Sequence, residues 1–322
     1  MHTLVMTGAT RGIGRFAAAT LLRDDPELRL VVLARESTSA EAIRELRRDD
    51  RVTVVNTELA SIDSVESAGR AVGALLDAGD LPPLRGFVGN AGVQFSDALH
   101  TTPDGLETTF AVNVLANHLL LRALESRLVG PARIVITNSG THFGDFRHTY
   151  GLTPAPRWAD PSVLARPRAF PSPATVAAGY TAYATSRLAA MYLVHEWARR
   201  LPDGVDIVAH SPGLVPATGH GRHAKPFLRF LDRWVVPVLT LTPAIDNAAT
   251  AGRRLAATVT GRTPAPSGSY VDRTRVTPSS DESFDITRER ALWDYLEAVR
   301  LRTTENPGNR RPAGREHDGT QG

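Results

Sequence analysis

The stretch that most restricts what this chain can fold into is TGATRGIG at 7–14, set between the apolar run HTLVM and the helical pattern IGRFAAATLLRD. A strand that passes through such a turn directly into a helix needs residues without a Cβ, both to reverse the backbone tightly and to bring the helix close to the strand. The rest of the chain repeats this beat. Apolar, mostly β-branched runs at 29–34, 51–56, 84–89, 132–137 and 205–210, with a weaker one at 268–271, alternate with helical patterns at 40–49, 64–78, 105–128 and 182–201. The alternation predicts an α/β fold: a single-domain, Rossmann-type doubly wound parallel sheet of about seven strands with helices on both faces.

One domain is expected over 1–303 and a flexible polar tail over 304–322. Two segments interrupt the alternation, an insertion at 143–179 rich in Pro and aromatics, and a lid at 213–243. Both follow strand ends, where open α/β sheets bind their ligands. They bring Phe143, Phe146, Trp158, Phe170, Phe227, Phe230 and Trp234 toward the expected cleft, which suits a bulky apolar small molecule. The helices around 105–128 and 178–201 offer faces for a homo-oligomer.

The chain has no cysteine, which excludes disulfides, thiolate metal sites and Cys nucleophiles, and no metal is expected. A formal charge of +3 without a long basic run argues against nucleic acid as a partner. No window approaches the roughly 20 apolar residues of a membrane span. The first strand begins almost at Met1, so a cytoplasmic protein is expected.

The glycine turn suits a dinucleotide. Thr7 ends the strand, Gly8 permits the turn, Gly12 lets a pyrophosphate approach the backbone, and Gly14 allows close packing, with Ile13 opening the helix whose free N–H groups face the phosphates. Where the second strand ends, an acidic residue would select NAD. Arg35 stands there instead, and Arg11 lies within the glycine loop, so the expected cofactor is NADP(H).

Five motifs in order carry a resemblance to the short-chain dehydrogenase/reductase family over roughly residues 1 to 300: TGxxxGxG at 7–14, Asn90-Ala91-Gly92, Ser139 in RIVITNSGTH, YATSR at 183–187, and SPG at 211–213. The long Ser139 to Tyr183 spacing makes the chain look most like the retinol-dehydrogenase and protochlorophyllide-reductase-like branch. The resemblance implies that Tyr183 is the acid/base, Ser139 bonds the substrate carbonyl, Asn113 holds a water for proton relay, and Arg187 is the cation beside Tyr183. It also implies cofactor contacts from Glu58 and Leu59 after the third strand, and from Pro212 and Gly213, besides Tyr183 and Arg187 themselves. His142, three places past Ser139, stays outside the expected set.

Arg187 departs from the family's Lys. A unit charge 4 Å from a phenolate oxygen contributes about 4 kcal/mol at an effective dielectric of about 20, and Arg supplies that charge as well as Lys. It cannot release a proton, so a relay would have to run through a ribose hydroxyl and water. The chain holds one Lys, Lys225, among 37 basic residues, so Arg replaces Lys throughout it. Gly89 also replaces the first Asn of the family's NNAG, and the Thr expected after SPG falls at Ala217 or Thr218. The expected activity is NADP(H)-dependent reduction of a carbonyl, or oxidation of the alcohol. Two other readings stay open: a dinucleotide-binding sensor or partner without turnover, and a natural-product tailoring enzyme that uses the fold for a non-redox step.

Overall fold

The computed structural model describes residues 1–149, 151–215 and 246–305, apart from the side chains at 38, 39 and 303–305. Its strands are β1 (His2–Thr7), β2 (Leu28–Ala34), β3 (Val52–Asn56), β4 (Leu84–Gly89), β5 (Leu128–Thr137), β6 (Val205–Ser211), β7 (Tyr270–Asp272) and β8 (Arg275–Thr277). They form one sheet in the order β3-β2-β1-β4-β5-β6-β7-β8. β1 to β7 run parallel, and β8 returns antiparallel to β7.

The first six strands lie where the β-branched runs place them. The sheet nevertheless has eight strands, not about seven, and the seventh is shifted to Tyr270–Asp272. The extra strand is three residues long, too short to show an alternating pattern, and it follows a turn through Arg273, whose φ of 56° is unusual for a side chain with a Cβ.

The helices are α1 (Gly12–Asp24), α2 (Glu36–Leu46), α3 (Ile62–Asp77), α4 (Thr108–Phe110), α5 (Ala116–Leu124), α6 (Phe146–Thr149), α7 (Pro161–Leu164), α8 (Val176–Ala198), α9 (Ala248–Val259) and α10 (Ile286–Glu305). The sheet separates two apolar cores, as the period of two along β1 requires. Val5 joins Phe87, Ile134 and Ile207 under α3, α5, α8 and α10, while Leu4 and Met6 join Val32, Val135 and Val208 under α1, α2 and α9. Each such large apolar side chain, fully buried, contributes about 2 kcal/mol.

α8 is buried along its whole length from Ala182 to Trp197, so it carries no polar stripe. Part of its cover is α10, capped by Asp285 Oδ1, which accepts from the N–H groups of Thr287 and Arg288 at 3.0 and 3.1 Å. Trp293 of α10 meets the rings of His118 and Trp197 at 5.0 and 5.1 Å, and Glu297 bonds His118 at 2.7 Å. α10 therefore covers part of the outer faces of α5 and α8.

The insertion is also less open than its composition implies. Phe170 is 4% exposed within the larger core, and Trp158 packs edge-on against Tyr192 of α8. Of the expected cleft aromatics, only Phe146 is widely exposed, while Phe227, Phe230 and Trp234 lie outside the described residues. Between β1 and β4 the strand order reverses, and the carboxyl ends of these strands carry the two loops on which the site is built.

Candidate active site

At the end of β1 the backbone turns through Gly8 and Gly12, both in the left-handed region at φ 71° and 52°. Gly14 then begins the packing of α1. A Cβ there would stand 2.0 Å from the Gly8 carbonyl oxygen and 2.4 Å from Asn90 Nδ2, so any side chain would push the helix off the turn. The Thr7 hydroxyl accepts from the N–H groups of Asn90 and Ala91, each at 3.0 Å, and Asn90 Nδ2 donates to the Gly8 carbonyl at 3.1 Å. Thr137 at the end of β5 donates to Asn90 Oδ1 at 3.2 Å. Three adjacent strand ends are thereby tied into one rim. Ile13 packs beneath it against α9.

Arg35 sits at the end of β2, half exposed, with its guanidinium 3.2 Å from Glu58 Oε2. Glu58 also accepts from the Ala60 N–H at 3.0 Å, and Leu59 beside it packs on the larger core. An exposed pair of this kind contributes little to stability and leaves Arg35 open to exchange partners. Arg11 is exposed just before α1.

Asn113 lies in the middle of a π-helical turn, Ala111–Leu115, that links α4 to α5. The wider turn aims its amide across the interior. Oδ1 accepts from the Val93 N–H at 2.9 Å, while Nδ2 donates to the Val93 carbonyl at 3.0 Å and to Ser186 Oγ at 2.9 Å. Asn113 thus braces the 90–93 loop against α8, one turn along from Tyr183.

Tyr183 is buried at 8% exposed, and Arg187 is buried at 4%. The guanidinium carbon stands 4.8 Å from the Tyr183 ring centre, and NH1 donates to the Thr137 carbonyl at 2.8 Å. Asn138 Nδ2 returns a bond to the Arg187 carbonyl at 3.2 Å. The fork fits because position 92 is glycine: a Cβ there would lie 2.4 Å from Arg187 NH2. Arg187 Nε is buried and has no acceptor among the described residues. A buried donor left in this way costs free energy until it finds an acceptor.

Ser139 is half-buried at the end of β5, where its Oγ accepts from the Thr141 N–H at 3.3 Å and caps a 3₁₀ turn, Gly140–Phe143. His142 in that turn is fully buried, and burial pushes its imidazole down to about 4, so it is neutral at ordinary pH. It bonds the Ser139 carbonyl at 2.7 Å and receives the Ser280 N–H at 3.3 Å. Its proximity to Ser139 was visible in the sequence, but its partner is 138 residues away. Beyond β6, Pro212 is buried and Gly213, at φ 78°, is pressed against Arg273, where a Cβ would lie 2.5 Å from Nε. Asp246 holds Arg254 and Arg273 and donates its N–H to the Leu214 carbonyl at 3.1 Å. Ala217, Thr218 and most of the expected lid lie outside the described residues.

A family model described as short chain dehydrogenase matches residues 2–149. The chain is 29% identical over 306 residues to a proposed daunorubicin C-13 ketoreductase of Streptomyces sp. (strain C5), covering 92% of each. It is 28% identical over 327 residues to retinol dehydrogenase 14 of Homo sapiens, covering 93% of this chain and 87% of that one. The chain belongs to the short-chain dehydrogenase/reductase family, and with it to the NAD(P)-dependent oxidoreductases. The retinol dehydrogenase among its relatives agrees with the branch expected from the long Ser139 to Tyr183 spacing.

Among solved structures, this dehydrogenase resembles landomycin C-6 ketoreductase with bound NADP and rabelomycin at a TM-score of 0.58 and 18% identity, over 85% of this chain and 94% of that one. At that identity the likeness speaks for the fold. Among the described residues of this dehydrogenase, no group of His, Cys, Asp and Glu could hold a metal ion, and no helix is long and apolar enough to cross a membrane.

Proposed function

We propose that this dehydrogenase is an NADP(H)-dependent reductase of a carbonyl on a bulky apolar small molecule, working in the cytoplasm, with residues 1–303 as its single domain. The observation that carries the reading is the buried Arg187 guanidinium, held over the Tyr183 ring with Nε left without an acceptor among the described residues. Such a donor, on α8 beside the end of β5 and the side-chain-free Gly92, suits a sugar hydroxyl of a bound dinucleotide. Thr7, Gly8, Gly12, Ile13, Gly14, Asn90, Ala91, Gly92, Pro212 and Gly213 would hold that cofactor, with Leu59 and Glu58 near its base. Arg35 would leave Glu58 for a 2′-phosphate, with Arg11 as the second cation, since a dianion outbids one exposed carboxylate. The relative named as a ketoreductase supports carbonyl reduction, and the neighbour solved with NADP supports the choice of cofactor.

When bound, NADPH would supply the hydride for the carbonyl carbon. Tyr183 gives its phenolic proton to the carbonyl oxygen, and Arg187 offsets the negative charge that develops on the phenol as that proton leaves. Ser139 Oγ–H donates to the same carbonyl oxygen and so favours the transition state over the ground state. Arg187 keeps its own protons, so the phenol is recharged through water. Asn113, whose carbonyl oxygen has a lone pair beyond the one taken by Asn117, would hold that water.

The test is to mix the protein with NADPH and a panel of bulky ketones and follow the absorbance of the reduced nicotinamide. Consumption with at least one ketone, and with NADH slower than NADPH, is the expected result. Tight binding of NADPH without consumption across a broad panel would favour the sensor reading instead.

A further inference from the structure

Ser139 is a loop residue, and little in its own segment fixes it: the hydroxyl caps a turn of four residues. Its carbonyl, however, accepts twice from His142, from the backbone N–H at 3.3 Å and from Nδ1 at 2.7 Å. On the far side of the ring, Nε2 faces the Ser280 N–H at 3.3 Å. A peptide N–H can only donate, so Nε2 must be the bare nitrogen and Nδ1 must carry the proton. One neutral tautomer therefore satisfies both ends, and the ring lies between Phe143 and Tyr270, at 4.2 and 4.8 Å between centres.

Ser280 is itself anchored. Its carbonyl accepts from Ser283 Oγ at 2.6 Å, and the Ser283 carbonyl bonds His195 Nδ1 at 3.1 Å. Tyr192 donates its hydroxyl to the Glu282 carbonyl at 2.9 Å. His195 and Tyr192 belong to α8, the helix that carries Tyr183 and Arg187. The serine loop is thus joined to the tyrosine helix twice: directly, through Arg187 and Asn138, and around the outside, through His142 and the Ser279–Ser283 turn.

We propose that His142 is a positioning residue, whose imidazole holds the Ser139 peptide at a fixed place relative to α8 by bridging it to the backbone of Ser280. The inference rests on the reading of Ser139 as the group that bonds the substrate carbonyl. His142 touches neither substrate nor cofactor and acts through Ser139. Misplacing a reacting group by about 1 Å costs on the order of a hundredfold in rate, so loss of the bridge should be felt in turnover more than in binding.

The experiment is a double-mutant cycle on NADPH-dependent ketone reduction, using Ser139→Ala, His142→Phe and the pair, with kcat, KM and the NADPH dissociation constant measured for each. His142→Phe keeps a ring between Phe143 and Tyr270 but makes neither bond. It should lower kcat about tenfold to a hundredfold with the dissociation constant changed less than about twofold, and His142→Gln, which keeps a donor and an acceptor, should recover part of the rate. In the Ser139→Ala background His142→Phe should cost no more than about twofold, since the group it positions is gone. An equal loss in both backgrounds, or no loss in either, would overturn the positioning role while leaving Ser139 in place. Ser139→Ala as fast as the unaltered enzyme would overturn the serine assignment itself, and His142 with it. If His142→Phe does not fold, the same cycle with His142→Asn, too short to reach Ser280, decides the question in the same way.

Discussion

The glycine turn and the serine loop leave strands two places apart in the same sheet, yet they are held by different means. The turn at 7–14 is shaped by missing side chains: positive φ at Gly8 and Gly12, and no room for a Cβ at Gly14. Its few braces, Thr7 and Asn90, come from the two adjacent strand ends. The serine loop and α8 are held by side chains reaching across the fold, Asn113 to Ser186, Arg187 to Thr137 and His142 to Ser280, at separations of 73, 50 and 138 residues. The first region depends on backbone space, the second on long-range polar ties. A change should therefore hurt the first by crowding it and the second by unfastening it.

The largest effect should follow from crowding the turn. Gly14→Ala places a methyl group 2.0 Å from the Gly8 carbonyl oxygen, and should cost about 3 kcal/mol of stability and abolish measurable NADPH binding. Denaturant melts and a binding titration would show it; an alanine variant that binds NADPH normally would mean that the turn is not space-limited.

The long-range ties should instead fail with acid. Burial depresses His142 to about 4, with repulsion from His148 and His195 adding to it and the Ser139 carbonyl and Asp145 opposing it. Its folded value is below its unfolded one, so its contribution is present above about pH 6.5 and is lost as pH falls toward 4. Between pH 7 and pH 5 that loss is about 2 kcal/mol, and it should be missing from the pH-dependent melting of His142→Phe. Parallel curves for the two proteins would show that the imidazole is not held in its neutral form.

The smallest effect concerns the exposed edge of the nucleotide end. Arg35→Ser should weaken NADPH about tenfold and leave NADH within about twofold, measured by titration of nicotinamide fluorescence. Equal losses for both would remove Arg35 from the phosphate site.

The same contrast explains what was legible in the sequence. The glycine spacing and the β-branched runs report local conformation, so the turn and six strands could be read within a few residues. α9 and α10 were not read as helices, although Asn247 and Asp285 cap them and Leu292, Trp293, Leu296 and Val299 recur on one face of α10. Both sit beyond the last clear strand, and charged residues separate the apolar positions of α10. β8 has no periodicity to read, being three residues long. The aromatics of the insertion looked like cleft walls because composition does not say which way a ring points, and Phe170 and Trp158 point inward. In the candidate site, Tyr183, Ser139 and Arg187 were singled out by the order of the family motifs they resemble. The ties that place them across the fold were not, because their partners lie 49 or more residues apart.

The account depends on Tyr183 delivering a proton under the charge of Arg187, and replacing its hydroxyl alone tests that most directly. In steady-state NADPH oxidation with an accepted ketone, Tyr183→Phe should retain the NADPH dissociation constant within about twofold and lose at least about a hundredfold in kcat. A Tyr183→Phe enzyme that turns over within about tenfold of the unaltered one would contradict it.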